Sequence, residues 1–348
     1  MKKNWKAPAA LALFATITAL TLACGTAAAV DGHPYLAEPI VIGAGGEWAL
    51  DGILTLPSRA SARNPVPAVV LVHGSGPADM DSTIFGNRPF LDIASHLSAN
   101  GVAVIRYDKR TYTHGLRMME TIGDNLTTWD ESVEDAILAA QLLRADTRID
   151  GNRVYLLGLS MGGMLAPNIH AAGGNFAGLI LMAGTPRTLP ELMLEQFRTI
   201  IALTMEAGPE KDMQLAQMDM LEDLFASIPG MTREEAIATQ IPLGMTAYYF
   251  KDLEARSFAT YIQEVSVPIL VMQGGRDFQV RADKDFAMIR ELLEGRDNVT
   301  FKLYDDLNHI FMHTTATNFI EHAEEMTQMP GRVDVQVLQD IVDWVLTR

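Results

Sequence analysis

Apolar runs and amphipathic stretches alternate along most of the chain. The run Pro67–His73 holds three valines beside Pro, Ala and Leu, which is typical of a strand buried on both faces of a parallel sheet. Similar runs predict further strands, and apolar residues at helical spacing predict helices between them. The further strands are Val102–Tyr107, Val154–Leu159, Gly178–Ala183, Pro268–Gln273 and Val299–Tyr304, and the helices are Pro89–Ala99, Thr128–Arg144, Met161–Ala171 and Val333–Leu346.

Two apolar segments near the start of this pattern, Ile40–Ile42 and Trp48–Leu56, flank a turn at Gly43–Glu47. They predict a pair of antiparallel strands. Strands that alternate with helices predict an α/β fold, in which each crossover between parallel strands is right-handed. The sequence therefore predicts an α/β fold with a mostly parallel eight-stranded sheet flanked by helices.

The interval Pro186–Glu264 breaks this alternation. Helical patterns occupy Leu189–Leu203 and Met213–Ala226, and no strand-like run of comparable quality interrupts them. We expect a helical cap inserted over the C-terminal edge of the sheet. The interval also holds seven methionines, from Met193 to Met245. Because methionine is flexible and polarisable, these side chains either shape an adaptable apolar pocket or simply fill a helical core.

The amino-terminal segment has the layout of a secretory signal peptide. A start rich in lysine is followed by the apolar stretch Ala7–Ala23 and then by small residues up to Ala29. The stretch is short and rich in threonine for a transmembrane helix, which needs about 20 residues. We therefore expect a signal peptide over residues 1–29, a single α/β domain over residues 30–348 and an extracytoplasmic location. The alternative is a buried N-terminal helix.

The position of signal cleavage has two interpretations. The single cysteine, Cys24, lies in the segment Thr21–Gly25, which resembles the cleavage box of a bacterial lipoprotein. In that case the signal spans residues 1–23, and a lipid on Cys24 anchors the protein to a membrane. Most such boxes carry leucine where this chain has Thr21. Ordinary cleavage after one of the alanines at 27–29 is the alternative.

Composition excludes several classes of function. The chain has 348 residues and a formal net charge of −16, which argues against non-specific binding to nucleic acid because phosphates repel such a surface. One cysteine cannot form an internal disulfide or a thiolate zinc site. The histidines are scattered without an H-E-x-x-H motif, so we expect no metal. Gly43–Gly46 precedes a predicted strand rather than a helix, so no dinucleotide loop and no cofactor are expected.

The sharpest local motif is Gly158-Leu-Ser-Met-Gly162, with Ser160 at its centre. It follows a predicted strand and precedes a predicted helix, so Ser160 lies on a sharp turn that exposes its hydroxyl above the sheet. The strained backbone of such a turn needs small neighbours, which Gly158 and Gly162 provide. We predict that Ser160 is a nucleophile, against the alternative of an ordinary glycine-rich turn.

A serine hydroxyl needs a base, and in this type of site the order along the chain is Ser, acid, His. Of the four histidines that follow the nucleophile, His309 comes soon after the strand Val299–Tyr304 and is the predicted base. His313, four residues later, is the second candidate. His170 lies in the helix of the nucleophile, where it cannot reach back, and His322 is expected in a solvated helix.

The predicted acid is Asp277, which follows the strand Pro268–Gln273 through a short Gly-Gly-Arg loop. A carboxylate at this place can accept the Nδ1 proton of the histidine, fix its tautomer and stabilise the imidazolium. Asp283 and Asp285 are expected to belong to the next helix instead.

The tetrahedral intermediate of acyl transfer needs hydrogen-bond donors, an oxyanion hole. One predicted donor is the backbone N–H of Met161, directly after the nucleophile. The second is expected in the loop after the strand Pro67–His73, on Ser75, with Gly74 as the alternative. Gly74 and Gly76 let the backbone approach a substrate. The imidazole of His73 is expected to brace this loop rather than to act in catalysis.

Together these motifs resemble the α/β-hydrolase superfamily, and specifically its bacterial secreted carboxylesterases in the dienelactone-hydrolase and prolyl-oligopeptidase-like branch. The resemblance extends from residue 40 to the C-terminus, and it implies a triad of Ser160, Asp277 and His309. The matching stretches are His73–Thr83, Val104–Arg110, Gly158–Gly162, Gln273–Val280 and Leu307–Phe311.

The chain departs from the family pattern in one loop. Met80 stands where the pattern has Arg between two aspartates, which changes the contacts of that loop rather than the triad. Asp108, Lys109 and Arg110 follow the strand Val102–Tyr107, and we expect them to hold its terminal loop together by ion pairs and hydrogen bonds.

The leading hypothesis is a serine carboxylesterase that forms an acyl-enzyme with small-molecule esters of short to medium acyl length. One alternative keeps the triad and changes the substrate, as in a serine peptidase or an acyltransferase. The other is a non-catalytic extracytoplasmic binding protein on the same fold. The sequence does not indicate an oligomeric state.

Overall fold

The computed structural model describes residues 34–242, 244–328 and 330–348. The predicted signal peptide over residues 1–29, its alternative end at residue 23 and Cys24 lie outside the described residues. Within the described ranges, no helix is both long enough and apolar enough to cross a membrane.

One mixed sheet organises the part of the chain that the structure describes. The strands in chain order are β1 (Tyr35–Ile42), β2 (Leu50–Pro57), β3 (Val66–Val72), β4 (Ala103–Tyr107), β5 (Ile149–Leu159), β6 (Leu179–Met182), β7 (Gln240–Ile241), β8 (Met245–Thr246), β9 (Ile269–Gly274) and β10 (Val299–Tyr304). β7 and β8 form a separate hairpin, and the other eight described strands lie in the order β1-β2-β4-β3-β5-β6-β9-β10. β2 is antiparallel to both β1 and β4, and the remaining neighbours are parallel. The predicted mostly parallel eight-stranded sheet is confirmed.

Helices cover both faces of this sheet. In chain order they are α1 (Pro89–Ala99), α2 (Arg110–Thr121), α3 (Glu134–Ala145), α4 (Met161–Ile169), α5 (Leu189–Thr204), α6 (Pro209–Ser227), α7 (Arg233–Ala238), α8 (Ala247–Ala255), α9 (Phe258–Glu264), α10 (Ala287–Leu292), α11 (Phe319–Gln328) and α12 (Val335–Leu346). Apolar residues of α3 and α4 belong to the core on one face, and those of α1 and α12 belong to the core on the other.

β3 shows why this sheet forms the core. All of its residues are buried. Ala68, Val70 and Val72 pack into one apolar cluster, whereas Val69 and Leu71 pack into the other. Because successive side chains of a strand point to opposite faces, a continuous apolar run fits a strand that is covered on both sides.

Most predicted elements are present, but two of the predicted helices differ in detail. The predicted helix Thr128–Arg144 begins with a π-helical turn at Trp129–Val133 before it continues as α3. The helix that follows the nucleophile motif ends at Ile169 and passes into a second π-helical turn. The sequence did not predict α2. It indicated only a loop at residues 108–110, where α2 begins.

The interval Pro186–Glu264 contains α5 to α9, together with the small β7–β8 hairpin that the sequence did not predict. Its methionines are not alike. Met218 is buried, whereas Met213 and Met220 are exposed. Neither a pocket nor a core therefore accounts for all of them. The bounds of a separate cap stay a prediction. We call residues 186–264 the insertion.

The carboxyl ends of the parallel strands meet at one edge of the sheet. Val72 of β3 lies opposite Gly158 of β5, and Gly274 of β9 lies opposite Tyr304 of β10. Ligands of open α/β sheets bind in the crevice outside such strand ends. The loops that open at this edge carry the predicted site residues Gly74, Ser75, Gly76, Ser160, Met161, Asp277 and His309.

Candidate active site

Ser160 lies on the turn between β5 and α4, as its motif predicts. Its backbone angles, φ 56° and ψ −118°, are strained for a residue other than glycine. Two backbone hydrogen bonds hold this conformation: the N–H of Ser160 donates to the Met182 carbonyl at 2.8 Å, and the N–H of Met164 donates to the Ser160 carbonyl at 3.0 Å. Such a turn presents the serine hydroxyl above the sheet.

The two glycines of the motif are required by close backbone approach. A Cβ atom on Gly158 would lie 2.2 Å from the Gly162 carbonyl oxygen. A Cβ atom on Gly162 would lie 2.2 Å from the carbonyl oxygen of Val72 at the end of β3. Both distances are far below any van der Waals contact, so a side chain at either position would force the backbone apart.

His309 and Asp277 are in direct contact at the same sheet edge. Nδ1 of His309 lies 2.8 Å from Oδ2 of Asp277. Their side chains are only 8% and 0% exposed, so water does not compete for this bond. The contact favours the tautomer with its proton on Nδ1, which leaves Nε2 free to accept a proton.

The Asp277 carboxylate is held from several sides. Its Oδ1 accepts hydrogen bonds from the backbone N–H groups of Gln279 at 2.8 Å and Val280 at 2.9 Å. Its Oδ2 accepts a further bond from the side-chain amide of Gln273 at 2.9 Å. The sequence analysis did not assign this role to Gln273, although its place at the end of β9 is a signal for it. These bonds fix the orientation of the carboxylate toward His309.

The loop after β3 lies directly against Ser160. A Cβ atom on Gly74 would be 3.2 Å from Cβ of Ser160 and 3.7 Å from its Oγ. Gly76 has a φ of 80°, which glycine adopts without strain. The predicted donor Ser75 lies between them, and Met161, the other predicted donor, is the first residue of α4. The assignment of both N–H groups to an oxyanion hole stays a prediction.

His73 braces this loop, as expected. Its Nε2 lies 3.0 Å from the carbonyl oxygen of Asp79, and its ring packs against Phe90 and Tyr107. Burial, followed by the nearby positive charge of Lys109, lowers the pKa of His73 to about 3. The ring is therefore neutral at pH 7, and its Nε2–H can donate to the carbonyl.

The cations after β4 form the ion pairs that the sequence analysis expects. Nζ of Lys109 lies 2.5 Å from Oε1 of Glu131. Arg110 pairs with the buried Asp135 and, at 2.7 Å, with Glu134. Both cations are buried. The pairs of Lys109 with Glu131 and of Arg110 with Asp135 therefore lie in the interior beside the site, whereas Glu134 is partly exposed.

Hydrogen bonds to neighbouring side chains hold the loop that carries Met80. The backbone N–H of Met80 donates to Oδ1 of Asp108 at 2.8 Å. Oδ1 of Asp81 instead accepts a hydrogen bond from Nε of Arg106 at 2.8 Å. Burial raises the pKa of Asp108 to about 6, and the negative charge of Asp79 acts in the same direction.

Two other histidines are engaged elsewhere. Nε2 of His313 lies 2.9 Å from Oδ2 of Asp334, and its side chain is 72% exposed. Nδ1 of His170 accepts the backbone N–H of Phe176 at 3.1 Å. Neither contact involves Asp277, so the structure favours His309 as the base partner.

The expectation that His322 lies in a solvated helix is wrong. His322 is 2% exposed because α11 packs against α5 of the insertion. Its ring lies 6.3 Å from that of Phe278, next to Asp277. Within the described residues, neither ring nitrogen has a hydrogen-bond partner. Burial lowers the pKa of His322, and the electrostatic interaction with the nearby His309 acts in the same direction.

A cavity of about 1070 Å³ lies between α4 and the insertion. Met164, one helical turn after Ser160, lines it together with insertion side chains that include Leu194 and Phe250. The predicted triad residues Ser160, Asp277 and His309 do not line it. The cavity therefore borders α4, the helix that follows Ser160, rather than the predicted catalytic side chains.

Most of the chain matches a known protein family. Residues 69–323 match the model of the Alpha/beta hydrolase family. The chain belongs to the alpha/beta hydrolase family. The match covers well over half of the chain, and it confirms the family resemblance and the fold class that the motifs indicate.

One relative of this chain is named as an esterase. The chain is 36% identical over 298 residues to Esterase EstD of Thermotoga maritima, and the match covers 85% of this chain but 65% of that protein. Among solved structures, the chain resembles Est1E from Butyrivibrio proteoclasticus, with a TM-score of 0.52 and 15% identity over 89% of this chain and 99% of that one. It also resembles a puromycin-hydrolyzing peptidase of Mycobacterium tuberculosis, with a TM-score of 0.53 and 18% identity over 92% and 41% of the two chains. At such identities the structural likeness shows the fold alone.

Proposed function

We propose that this protein is a carboxylic ester hydrolase with a catalytic triad of Ser160, His309 and Asp277. The observation that carries the proposal is the 2.8 Å contact between His309 and Asp277, at the sheet edge where a strained turn presents Ser160. Because a fold by itself does not decide the substrate, the choice of esters takes its support from the relative named as an esterase.

In the proposed reaction, Nε2 of His309 takes the hydroxyl proton of Ser160 as Oγ attacks the ester carbonyl carbon. The tetrahedral intermediate expels the alcohol, which receives that proton from His309, and an acyl-enzyme forms. Water then attacks the acyl carbon with His309 again as base, releases the carboxylic acid and regenerates Ser160. Asp277 holds the ring and stabilises the imidazolium in both halves.

Negative charge on the former carbonyl oxygen needs donors that are already in place. The N–H of Met161 lies in the first turn of α4, where backbone donors lack intrahelical partners and the helix dipole is positive. The N–H of Ser75 follows Gly74, whose backbone lies against Ser160. These two groups are the proposed oxyanion hole.

The proposed substrates are small esters with acyl groups of short to medium length. Apolar side chains of the insertion, such as Leu194 and Phe250, border the cavity beside the nucleophile's helix. Since Ser160, Asp277 and His309 do not line that cavity, the proposed acyl length rests on the predicted cover that the insertion provides and not on the cavity itself.

Turnover of p-nitrophenyl acetate and butyrate by residues 30–348 tests this proposal. We expect saturable hydrolysis by the wild type, and a loss of about 10⁴-fold or more in kcat for Ser160→Ala. Ser227→Ala is the matched control, since Ser227 caps a surface turn of the insertion through the Leu224 carbonyl. Wild-type turnover no faster than that of Ser160→Ala would contradict the proposal.

A panel of aminoacyl p-nitroanilides separates the esterase from a peptidase on the same fold. The ester hydrolase leaves these amides largely intact, whereas a peptidase releases the nitroaniline at rates that rival ester turnover. An acyltransferase would instead divert the acyl group to an added alcohol in preference to water. A binding protein without catalysis would cleave neither class.

We also propose that the enzyme works outside the cytoplasm after its signal is removed. The basic and apolar start of the chain supports export. Mass spectrometry of the protein purified from its native host tests both forms: a mature start after one of residues 27–29, or a start at Cys24 with a diacylglycerol mass. An intact Met1 would contradict export.

A further inference from the structure

Lys109 is a buried cation that the proposed mechanism does not use. Only 2% of the residue is exposed. Its Nζ donates to the carbonyl oxygens of Gly74 at 2.8 Å and Gly76 at 3.1 Å, and to Oε1 of Glu131 at 2.5 Å. An ammonium group has three donors, so these acceptors satisfy it completely. Two of them belong to the loop that carries the proposed oxyanion donor Ser75.

We propose that Lys109 is a positioning residue of the oxyanion hole, and that Tyr249 of the insertion keeps it in place through Glu131. The inference rests on the proposed function. It extends that function because it assigns a role in transition-state stabilisation to three residues outside the triad. It also makes the insertion part of the catalytic arrangement rather than only a cover.

Lys109 acts on the proposed oxyanion donor through the peptide bond between Gly74 and Ser75. The carbonyl of Gly74 and the N–H of Ser75 belong to the same planar trans peptide, so they point in opposite directions. An ammonium bound to that carbonyl therefore turns the N–H of Ser75 away from Lys109. The positive charge also withdraws electrons from the peptide, which strengthens its N–H as a donor, since linked hydrogen bonds polarise one another. The second bond, to Gly76, clamps the loop beyond Ser75.

Glu131 and Tyr249 hold the ammonium at this place. Oε1 of Glu131 pairs with Lys109, and Oε2 accepts the hydroxyl of Tyr249. All three side chains are buried. Burial, followed by the negative charge of Glu131, raises the pKa of Tyr249 far above its usual value, so the hydroxyl keeps its proton and donates. The Tyr249 hydroxyl oxygen also lies 3.7 Å from Sδ of Met161, which carries the other proposed oxyanion donor.

The arrangement therefore reaches both proposed donors from the insertion. Tyr249 contacts the side chain of Met161 directly, and it reaches the Gly74–Ser75 peptide through Glu131 and Lys109. A buried ion pair adds little net stability because desolvation offsets its attraction. We infer that fixing the loop is its contribution.

Tyr249→Phe is the mildest test, because it removes one hydroxyl and keeps the ring. We expect kcat for p-nitrophenyl butyrate to fall about 10-fold with little change in KM, since only transition-state interactions weaken. Tyr304→Phe is the control for the loss of a hydrogen bond from a tyrosine hydroxyl to a carboxylate, because the Tyr304 hydroxyl donates to Asp340 at 2.7 Å. Tyr248→Phe is the control on the same helix, where the hydroxyl of Tyr248 accepts a bond from Arg233.

A thionoester provides the readout that a purely structural role would not change. Its C=S sulfur is a weak acceptor, so the oxyanion hole helps it less than it helps an oxygen ester. We expect the ratio of ester to thionoester kcat to fall about 10-fold in Tyr249→Phe and to stay at the wild-type value in both controls. The pH profile should keep its shape, because the substitution leaves the proposed triad unchanged.

Lys109→Met alone leaves Glu131 buried without its cation, which can prevent folding. The double variant Lys109→Met/Glu131→Met removes both charges and is expected to fold. We expect it to lose about 100-fold in ester kcat, which is comparable to loss of one oxyanion donor, and to lose far less on the thionoester.

Two results would overturn different claims. If the folded double variant loses ester and thionoester turnover equally, or loses neither, Lys109 does not position the oxyanion hole, and the esterase proposal stands. If wild type and Ser160→Ala are equally inactive on the ester, the proposed function fails, and the inference fails with it.

Discussion

His73 shows how one buried residue sets a pH dependence that is separate from catalysis. Its neutral ring donates to the Asp79 carbonyl, and burial lowers its pKa to about 3 in the folded protein. In the unfolded chain the pKa is about 6.5. Between these values only the unfolded state binds the proton, so the free energy of unfolding decreases as pH falls from 6.5 toward 3.

We predict that His73 lowers the free energy of unfolding by about 2 kcal/mol between pH 7.5 and pH 5. His73→Gln keeps an N–H donor without the titration. Urea unfolding of both proteins at the two pH values measures the difference. The buried His322 shifts in the same direction, so the comparison with the variant is needed to isolate His73. An equal pH dependence of the two proteins would show that His73 is not the source.

The turn between β5 and α4 makes the sharpest prediction at the scale of an element. Gly158→Ala places a methyl group 2.2 Å from the Gly162 carbonyl oxygen, so we expect destabilisation of about 3 kcal/mol or more and loss of activity. Gly151→Ala is the control in the same strand, where the nearest atom, in the Arg144 side chain, is 3.8 Å away. Thermal unfolding and butyrate turnover measure both. An active, stable Gly158→Ala enzyme would contradict the described geometry of the turn.

The elements that the sequence predicts well are those with a strong local signal. β3 is a continuous apolar run, and α1 begins with Pro89 and ends before Asn100-Gly101, so their patterns agree with their places in the fold. The turn that carries Ser160 is equally local, because its two glycines lie within two residues of Ser160. The contact of His309 with Asp277 follows from the order of the strands that carry them.

The elements that the sequence does not predict depend on distant partners. α2 contains Gly115 and has no side-chain cap at Lys109, so local propensity is weak. The pairing of Arg110 with Asp135, far along the chain, ties its first turn to α3. His322 lies among charged residues that indicate a solvated helix, and only the packing of α11 on α5 buries it. The contact of Tyr249 with Glu131 is likewise beyond any local pattern.

At the scale of the whole molecule, a buried ion pair joins the insertion to the sheet domain. Asp285 is fully buried. Its Oδ1 accepts a hydrogen bond from Nε of Arg187 at 2.7 Å, and its Oδ2 accepts one from Nη2 of Arg187 at 2.8 Å. Asp285 was expected in the next helix, and it lies in the helical turn before α10. Because Arg187 begins the insertion, this pair fixes where the insertion leaves the sheet.

We predict that Arg187→Met destabilises the protein by about 3–5 kcal/mol, since it leaves the Asp285 carboxylate buried without a cation. Arg198→Met is the control: Arg198 pairs with Glu222 on the surface of the insertion, and such pairs contribute about 0–1 kcal/mol. Chemical unfolding of the two variants measures the contrast. Similar small losses in both would show that the buried pair does not secure the insertion.

The central claim, that Ser160 is the nucleophile of a serine ester hydrolase, is tested most directly by covalent labelling. A fluorophosphonate is incubated with the mature protein, and the labelled peptide is sequenced by mass spectrometry while ester turnover is followed in the same sample. We predict a single adduct on Ser160 that forms in step with loss of p-nitrophenyl butyrate hydrolysis. Hydrolysis that is lost without modification of Ser160, or a fully modified Ser160 with undiminished hydrolysis, would contradict the account.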